Sequence, residues 1–219
     1  MTKAKDLIHT VTAAARQLNS SGLNQGRSGN ISVRVPDDST VPVMLITATG
    51  AKFDELDADQ LVTMSIDGHW QGETRPSSEW HFHAAVYRQR ADANAVVHVH
   101  SPWATTLACM HRSIPQFHYM VAAAGGHDIP CVPYETFGTE ALAEHVAKAV
   151  VDRDACLMAN HGQLALGDSI EEALELAMEV EHLARCYGQA LSAGEPVLLT
   201  DEQMAAAIER FRTYRNRSE

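Results

Sequence analysis

The run Asn94-Ala95-Val96-Val97-His98-Val99-His100 constrains this chain more than any other stretch. Its apolar, β-branched centre reads as a buried strand, and a strand places residues two apart on one face. His98 and His100 therefore point the same way. Two imidazoles on one face either pack as core or solvated histidines, or grip one small object, usually a divalent metal. The rest of the chain has to decide between those readings.

Hydrophobic periodicity organises the remainder. Residues 5–18 carry Leu7, Val11, Ala14, Ala15 and Leu18 at helical spacing, and Ser20-Ser21-Gly22 ends that helix. Strands are expected over 31–35, 43–46 and 61–66, the last closed by the Asp67-Gly68 turn. Pro76-Ser77-Ser78-Glu79 reads as a helix start, with the helix running to about residue 89. After the histidine strand the pattern predicts a helix from Pro102, a strand over 129–134 and a helix over 139–151. Two strand-like segments, 156–158 and 163–166, flank Asn160-His161-Gly162. A long helix over 169–191 and a last one from 201 to about 212 complete the chain. The early strands outnumber a simple βαβ alternation. One domain over residues 1–219 is expected, with a mixed or antiparallel sheet covered by helices.

Composition excludes several classes. The 219 residues are 45% hydrophobic, enough for a substantial core. A formal charge of −11 argues against broad nucleic-acid binding, although local amides and an arginine can still hold a phosphate. No apolar run has the length of a membrane span, and the N-terminus does not read as a signal peptide. The four cysteines form no CxxC and read as free thiols of a cytoplasmic protein. None of Lys3, Lys5, Lys52 and Lys148, the only lysines, lies in a buried apolar run, so Schiff-base chemistry has little support.

Several residues can join the histidine pair. His161, at a bend between apolar segments, is either a turn histidine or a third ligand. Glu79 either complements a helix dipole or supplies a carboxylate. His81 and His83 are rivals, ranked lower because their helix reads as exposed. Gly26-Arg27-Ser28-Gly29-Asn30 precedes a strand, Thr47-Ala48-Thr49-Gly50 follows one, and Ser77-Ser78 opens a helix. Each is singly a turn or cap. Together they supply the free amides and hydroxyls that a phosphate needs.

These stretches occur in an order that resembles the class II aldolase/adducin family, most nearly its branch that cleaves L-fuculose 1-phosphate. The matching residues are Leu23-Asn24-Gln25-Gly26, Gly29-Asn30-Ile31-Ser32-Val33-Arg34, Pro76-Ser77-Ser78-Glu79-Trp80 and Asp92 to His100. Further matches are Arg112-Ser113-Ile114-Pro115, His118-Tyr119-Met120, Ala122 to Gly126, Ile129-Pro130-Cys131, Thr136-Phe137-Gly138-Thr139, His161-Gly162 and Phe211-Arg212-Thr213-Tyr214. The resemblance implies a three-layer α/β/α fold around a mostly antiparallel sheet, with a mobile tail from about residue 212. It implies that His98, His100 and His161 ligate zinc, or another divalent metal. Glu79 is then both a resting ligand and the acid/base; as a desolvated carboxyl freed from the metal it should have a raised pKa. The phosphate pocket maps to Gly29, Asn30, Thr49, Gly50, Ser77 and Ser78. Tyr119 reaches a site across a subunit boundary of a homotetramer, and Phe137, Phe211 and Tyr214 surround the aldehyde end.

The implied reaction is reversible cleavage of a ketose 1-phosphate to dihydroxyacetone phosphate and an aldehyde, without nucleic acid or membrane. Aldolases or dehydratases of 5-deoxy- or 5-methylthio-ribulose 1-phosphate share the phosphate end. A pentulose-5-phosphate 4-epimerase is disfavoured because that branch has Asp where this chain has Glu79. A non-catalytic adducin-like module is the alternative of a different class. The chain departs from the fuculose branch at Arg27 (Thr there), Val99 (Asn), Asn160 (His), around Ser101-Pro102-Trp103, and in an insertion at 36–42. Arg27 is either a surface residue or an added phosphate clamp.

Overall fold

β-Branched strands and amphipathic helices assemble around one seven-stranded sheet. The computed structural model describes residues 2–36 and 41–215, with side chains over 6–36 and 41–213. β1 (Asn30–Val35), β2 (Val43–Thr47) and β3 (Leu61–Ser65) form an antiparallel meander. β4 (Ala95–Val99) lies between β1 and β7 (Gly162–Gly167). β6 (Ala155–Met158) and β5 (Cys131–Val132) complete the order β3-β2-β1-β4-β7-β6-β5. Among the described residues only the β5–β6 pair is parallel, so the expected mostly antiparallel sheet is present. The histidine strand is the central one, paired along both edges and buried throughout.

Strand alternation sorts the side chains into two cores. Ala95, Val97 and Val99 of β4 pack with residues of α1 (Thr2–Ser20), α3 (Pro102–Cys109) and α5 (Ile170–Ala193). Val96 faces the opposite layer, with residues of α2 (Trp80–Gln89) and α4 (Glu140–Ala149). α6 (Asp201–Arg215) packs against a 3-10 turn at Tyr119–Ala124. The sheet is thus covered on both faces, the three-layer α/β/α arrangement. Leu18, Ile31 and Val97 are fully buried, and each such side chain stabilises the fold by about 1.5–3 kcal/mol. Among the described residues, no helix is long and apolar enough to cross a membrane.

Local chemistry sets the element ends. Ser169 Oγ accepts from Glu172 N at the start of α5, and Thr139 Oγ1 accepts from Leu142 N at the start of α4. α3 is capped from a distance: the Glu181 carboxylate of α5 accepts from Trp103 N, Ala104 N and Ser101 Oγ. That contact anchors the turn immediately after His100.

Several boundaries differ from the sequence reading. The helix expected from Pro76 begins at Trp80, with Glu79 at its N-cap. Pro76 is held in an isolated bridge to Ala48 and Ser77 N donates to Thr47 O, so this segment follows the sheet before turning into the helix. The strand expected over 129–134 shrinks to Cys131–Val132, because Ile129 pairs instead with Ile114. α6 continues to Arg215, past the expected end near 212. The end of the expected tail, at 216–219, and most of the 36–42 insertion lie outside the described residues.

Candidate active site

β4 delivers His98, fully buried, and His100 follows at the strand's end. His161 arrives from the tight turn between β6 and β7. Asn160 occupies the left-handed region there at φ 54°, a conformation that asparagine tolerates better than most side chains. Its Oδ1 accepts from His111 Nε2 at 2.6 Å, and its N–H donates to Ala108 O. The turn is thereby tied to the end of α3. Gly162 then lets β7 pass close behind the site, since a Cβ there would lie 2.6 Å from Val99 O. One ligand atom from each of His98, His100 and His161 lies within 4.8 Å of the others.

The donor set suits a divalent cation. His98 Nδ1 donates to Gln163 O at 2.7 Å, which leaves its Nε2 as a bare lone pair. That Nε2 stands 3.1 Å from His100 Nε2. Ligands of a tetrahedral zinc at about 2.0–2.1 Å stand roughly 3.3 Å apart, so the spacing fits a shared cation. Burial holds the pKa of His98 well below its ordinary value and lowers that of His100, keeping both in the neutral, ligating form.

Glu79 closes the cluster, with Oε1 3.1 Å from His161 Nε2 and Oε2 3.5 Å from His98 Nε2. The Asn30 amide donates to Oε2 at 2.8 Å. Burial pushes this carboxyl upward, as sequence reasoning expects for a desolvated glutamate. The neighbouring His98 and His161 and the Asn30 hydrogen bond outweigh burial and lower its pKa to about 2. In this arrangement, beside the histidines, Glu79 is therefore a carboxylate.

A cavity of about 430 Å³ opens above the cluster, bordered by Glu79, His100 and His161. The loop residues Arg27, Gly29 and Asn30 line it, as do Thr49 and Gly50 from the turn after β2. Ser77, Ser78 and Phe137 line it as well. Arg27 Nη1 donates to Gly50 O at 3.0 Å, linking the two glycine-bearing loops at the rim. Ser28, Tyr134 and Glu135 also line the cavity and were not singled out from sequence. Ser28 sits inside the quoted loop, and Tyr134 and Glu135 adjoin the Thr136-Phe137-Gly138-Thr139 match. Asn160, noted only as a departure, lines it too.

Other expected residues stand elsewhere. Tyr119, 54% exposed, opens its 3-10 turn and is not part of this cavity within one chain. The Tyr214 side chain lies outside the described residues. Phe211 is half-buried against the α1/α5 core and borders a different depression. His83 requires a correction: its helix face is not exposed. The ring is fully buried, bonded to Asn30 and Ser32 rather than to a ligand position.

The model of the Class II Aldolase and Adducin N-terminal domain matches residues 9–188. The chain belongs to the class II aldolase and adducin family. Within that family, the L-fuculose phosphate aldolase of Escherichia coli is 47% identical over 212 residues, covering 96% of this chain and 94% of that protein. The 5-methylthioribulose-1-phosphate/5-deoxyribulose-1-phosphate aldolase of Rhodospirillum rubrum is 45% identical over 208 residues, covering 95% and 92%. A solved L-fuculose 1-phosphate aldolase superposes with a TM-score of 0.89 at 39% identity, covering 94% of this chain and 96% of that one. This class II aldolase-family chain is an enzyme of the lyase type.

Proposed function

We propose that this chain is a metal-dependent aldolase that reversibly cleaves a ketose 1-phosphate to dihydroxyacetone phosphate and an aldehyde. The observation that carries the reading is the convergence of three imidazoles and the Glu79 carboxylate under a cavity rimmed by Arg27, Ser77 and Ser78. His98, His100 and His161 would hold the cation, zinc by donor type, with Glu79 beside them. When bound, the cation supplies Lewis-acid stabilisation of the negative charge that carbon–carbon cleavage leaves on oxygen.

The chain's own residues supply the rest. Arg27 and the backbone amides and hydroxyls of the glycine-bearing loops anchor the phosphate, the invariant half of the substrate. Glu79 removes the C3 proton of dihydroxyacetone phosphate in the condensing direction and returns it in cleavage. Tyr119, exposed on its own chain, serves the aldehyde oxygen of a neighbouring subunit in a homotetramer. Phe137 and Tyr134, 64% and 55% exposed, offer aromatic surface to the variable aldehyde half. That surface, with the similarity to the Rhodospirillum rubrum aldolase, favours 5-deoxy- and 5-methylthio-ribulose 1-phosphate as a second reading beside L-fuculose 1-phosphate. We place the enzyme in the cytoplasm.

The test is a panel of these three ketose phosphates and a pentulose 5-phosphate, with dihydroxyacetone phosphate release as readout and metal content measured in parallel. Release from at least one 1-phosphate is expected. A metal-loaded protein that cleaves none, and exchanges no proton on dihydroxyacetone phosphate, would sink the reading. A protein that takes up no metal would point to an adducin-like module instead.

A further inference from the structure

Behind Glu79 runs a buried chain of polar groups that the proposed mechanism does not use. Asn30 is 3% exposed, Tyr87 is 3%, and Ser32 and His83 are fully buried. The links are Glu79 Oε2 to Asn30 Nδ2 at 2.8 Å and Asn30 Oδ1 to His83 Nε2 at 2.6 Å. They continue from His83 Nδ1 to Ser32 Oγ at 2.7 Å and from Ser32 Oγ to the Tyr87 hydroxyl at 2.7 Å. Ser32 and Asn30 are on β1, while His83 and Tyr87 lie one helical turn apart on α2.

Elementary hydrogen-bond chemistry assigns every proton in this chain. An ionised carboxylate only accepts, so Asn30 presents its NH2 to Glu79 and its carbonyl oxygen to His83. The carbonyl also only accepts, so His83 carries its proton on Nε2. A neutral imidazole then has a bare Nδ1, which must accept from the Ser32 hydroxyl. Ser32 Oγ in turn accepts from Tyr87. All the protons therefore point toward Glu79. Burial supports the neutral ring, holding the His83 pKa down at about 3, and burial also keeps the Tyr87 hydroxyl protonated.

We propose that His83 is a positioning residue for the proton-transferring carboxylate, fixing the Asn30 amide in the one orientation that donates to Glu79, with Ser32 and Tyr87 fixing the tautomer of His83. A flipped Asn30 would set its carbonyl oxygen against the Glu79 carboxylate and turn that carboxylate away from the reacting carbon. The structural role of α2 is thus tied to the chemistry: one face builds the core through Phe82 and Val86, and the same face carries the residues that orient the acid/base. This rests on the reading of Glu79 as the group that moves the C3 proton.

The test has two arms. Long-range proton–nitrogen NMR of the metal-free protein reads the His83 tautomer directly. A proton on Nε2 and a bare Nδ1 are expected, and a proton on Nδ1 overturns the proposal regardless of activity. In the second arm, proton exchange on dihydroxyacetone phosphate is measured for the zinc-loaded His83→Phe and His83→Gln variants. The phenylalanine variant should lose about 10- to 100-fold in kcat with KM little changed, as expected for an outer partner of a metal-site residue. The glutamine variant, whose amide N–H can take the place of Nε2–H, should recover most of that loss. A folded phenylalanine variant with wild-type exchange overturns the proposal. If that variant does not fold, Ser32→Ala keeps the ring and removes only the donor to Nδ1. Reduced kcat at unchanged KM then supports the relay, and wild-type kcat overturns it. Absence of both cleavage and exchange in the wild-type enzyme would defeat the proposed function, while the tautomer measurement would still judge the role of His83.

Discussion

Gly162→Ala tests how closely the backbone is fitted behind the three histidines. The added Cβ would lie 2.6 Å from Val99 O, 2.9 Å from His100 Cδ2 and 3.3 Å from His98 Cε1. A carbon–oxygen contact needs about 3.3 Å, so β7 and the end of β4 must separate by roughly 0.7 Å. Gly162 pairs with Met158 on the other side, which limits how far β7 can retreat. Metal–ligand distances tolerate only about 0.2 Å, so even a fraction of this displacement passed to His98 and His100 takes them out of range. The expected outcome is a fall in zinc affinity of at least about tenfold, together with an overpacking cost of about 1–3 kcal/mol in stability. Competition of the metal-free protein with a fluorescent chelator gives the affinity, and urea unfolding gives the stability. Gly188→Ala is the matched control: its Cβ would meet only the Trp103 side chain, at 3.1 Å, so zinc affinity should be retained. A folded Gly162→Ala protein that binds zinc within twofold of wild type would refute the reasoning.

The other expectations concern charge and protons. Glu79→Gln should still take up metal, yet exchange of the C3 proton of dihydroxyacetone phosphate should fall by about 100-fold or more, read by NMR; near-normal exchange would remove Glu79 from its role. Arg27→Thr should raise KM for phosphorylated ketoses several-fold with kcat nearly unchanged, and an unaltered KM would return Arg27 to the status of a loop-bracing residue. Acid should destabilise the metal-free protein. His83 titrates at about 3 when folded against an ordinary 6.5, so its contribution is complete above pH 6.5 and is lost as pH falls toward 3. The slope in that window is about 1.4 kcal/mol per pH unit for one such group. His98 acts in the same sense. Urea midpoints between pH 7 and pH 4 that do not fall with acid would contradict this.

Much of the site was legible because its residues are local in sequence. His98 and His100 share a strand face by period alone, and the glycine- and serine-rich loops advertise free amides wherever they fold. The misreadings have physical causes. Helical spacing cannot tell which flank of α2 meets the sheet, so His83 read as exposed, although α2 packs that face against β1 and β4. The lowered pKa of Glu79 beside the histidines gave no sequence signal, because its partners Asn30, His98 and His161 lie 49, 19 and 82 positions away along the chain. Tyr134 and Glu135 gave no signal of their own, since a loop side chain acquires a role only when the fold carries it to the cavity.

What sequence alone determined is the inventory and the local geometry: paired imidazoles on a buried strand, an Asn-His-Gly bend, hydroxyls ahead of a helix, and an apolar pattern that demands a sheet covered by helices. Strand and helix periods are properties of the backbone, so neighbours in sequence suffice to set them. Tertiary structure decided which residues meet. Antiparallel pairing of β4 with β1 sets Asn30 opposite His98, and pairing with β7 brings the His161 turn beside His100. Packing of α2 against that sheet completes the line from Tyr87 to Glu79. Those contacts join residues separated by many turns of chain, and their protonation states follow from burial and hydrogen bonds that exist only once the layers have closed.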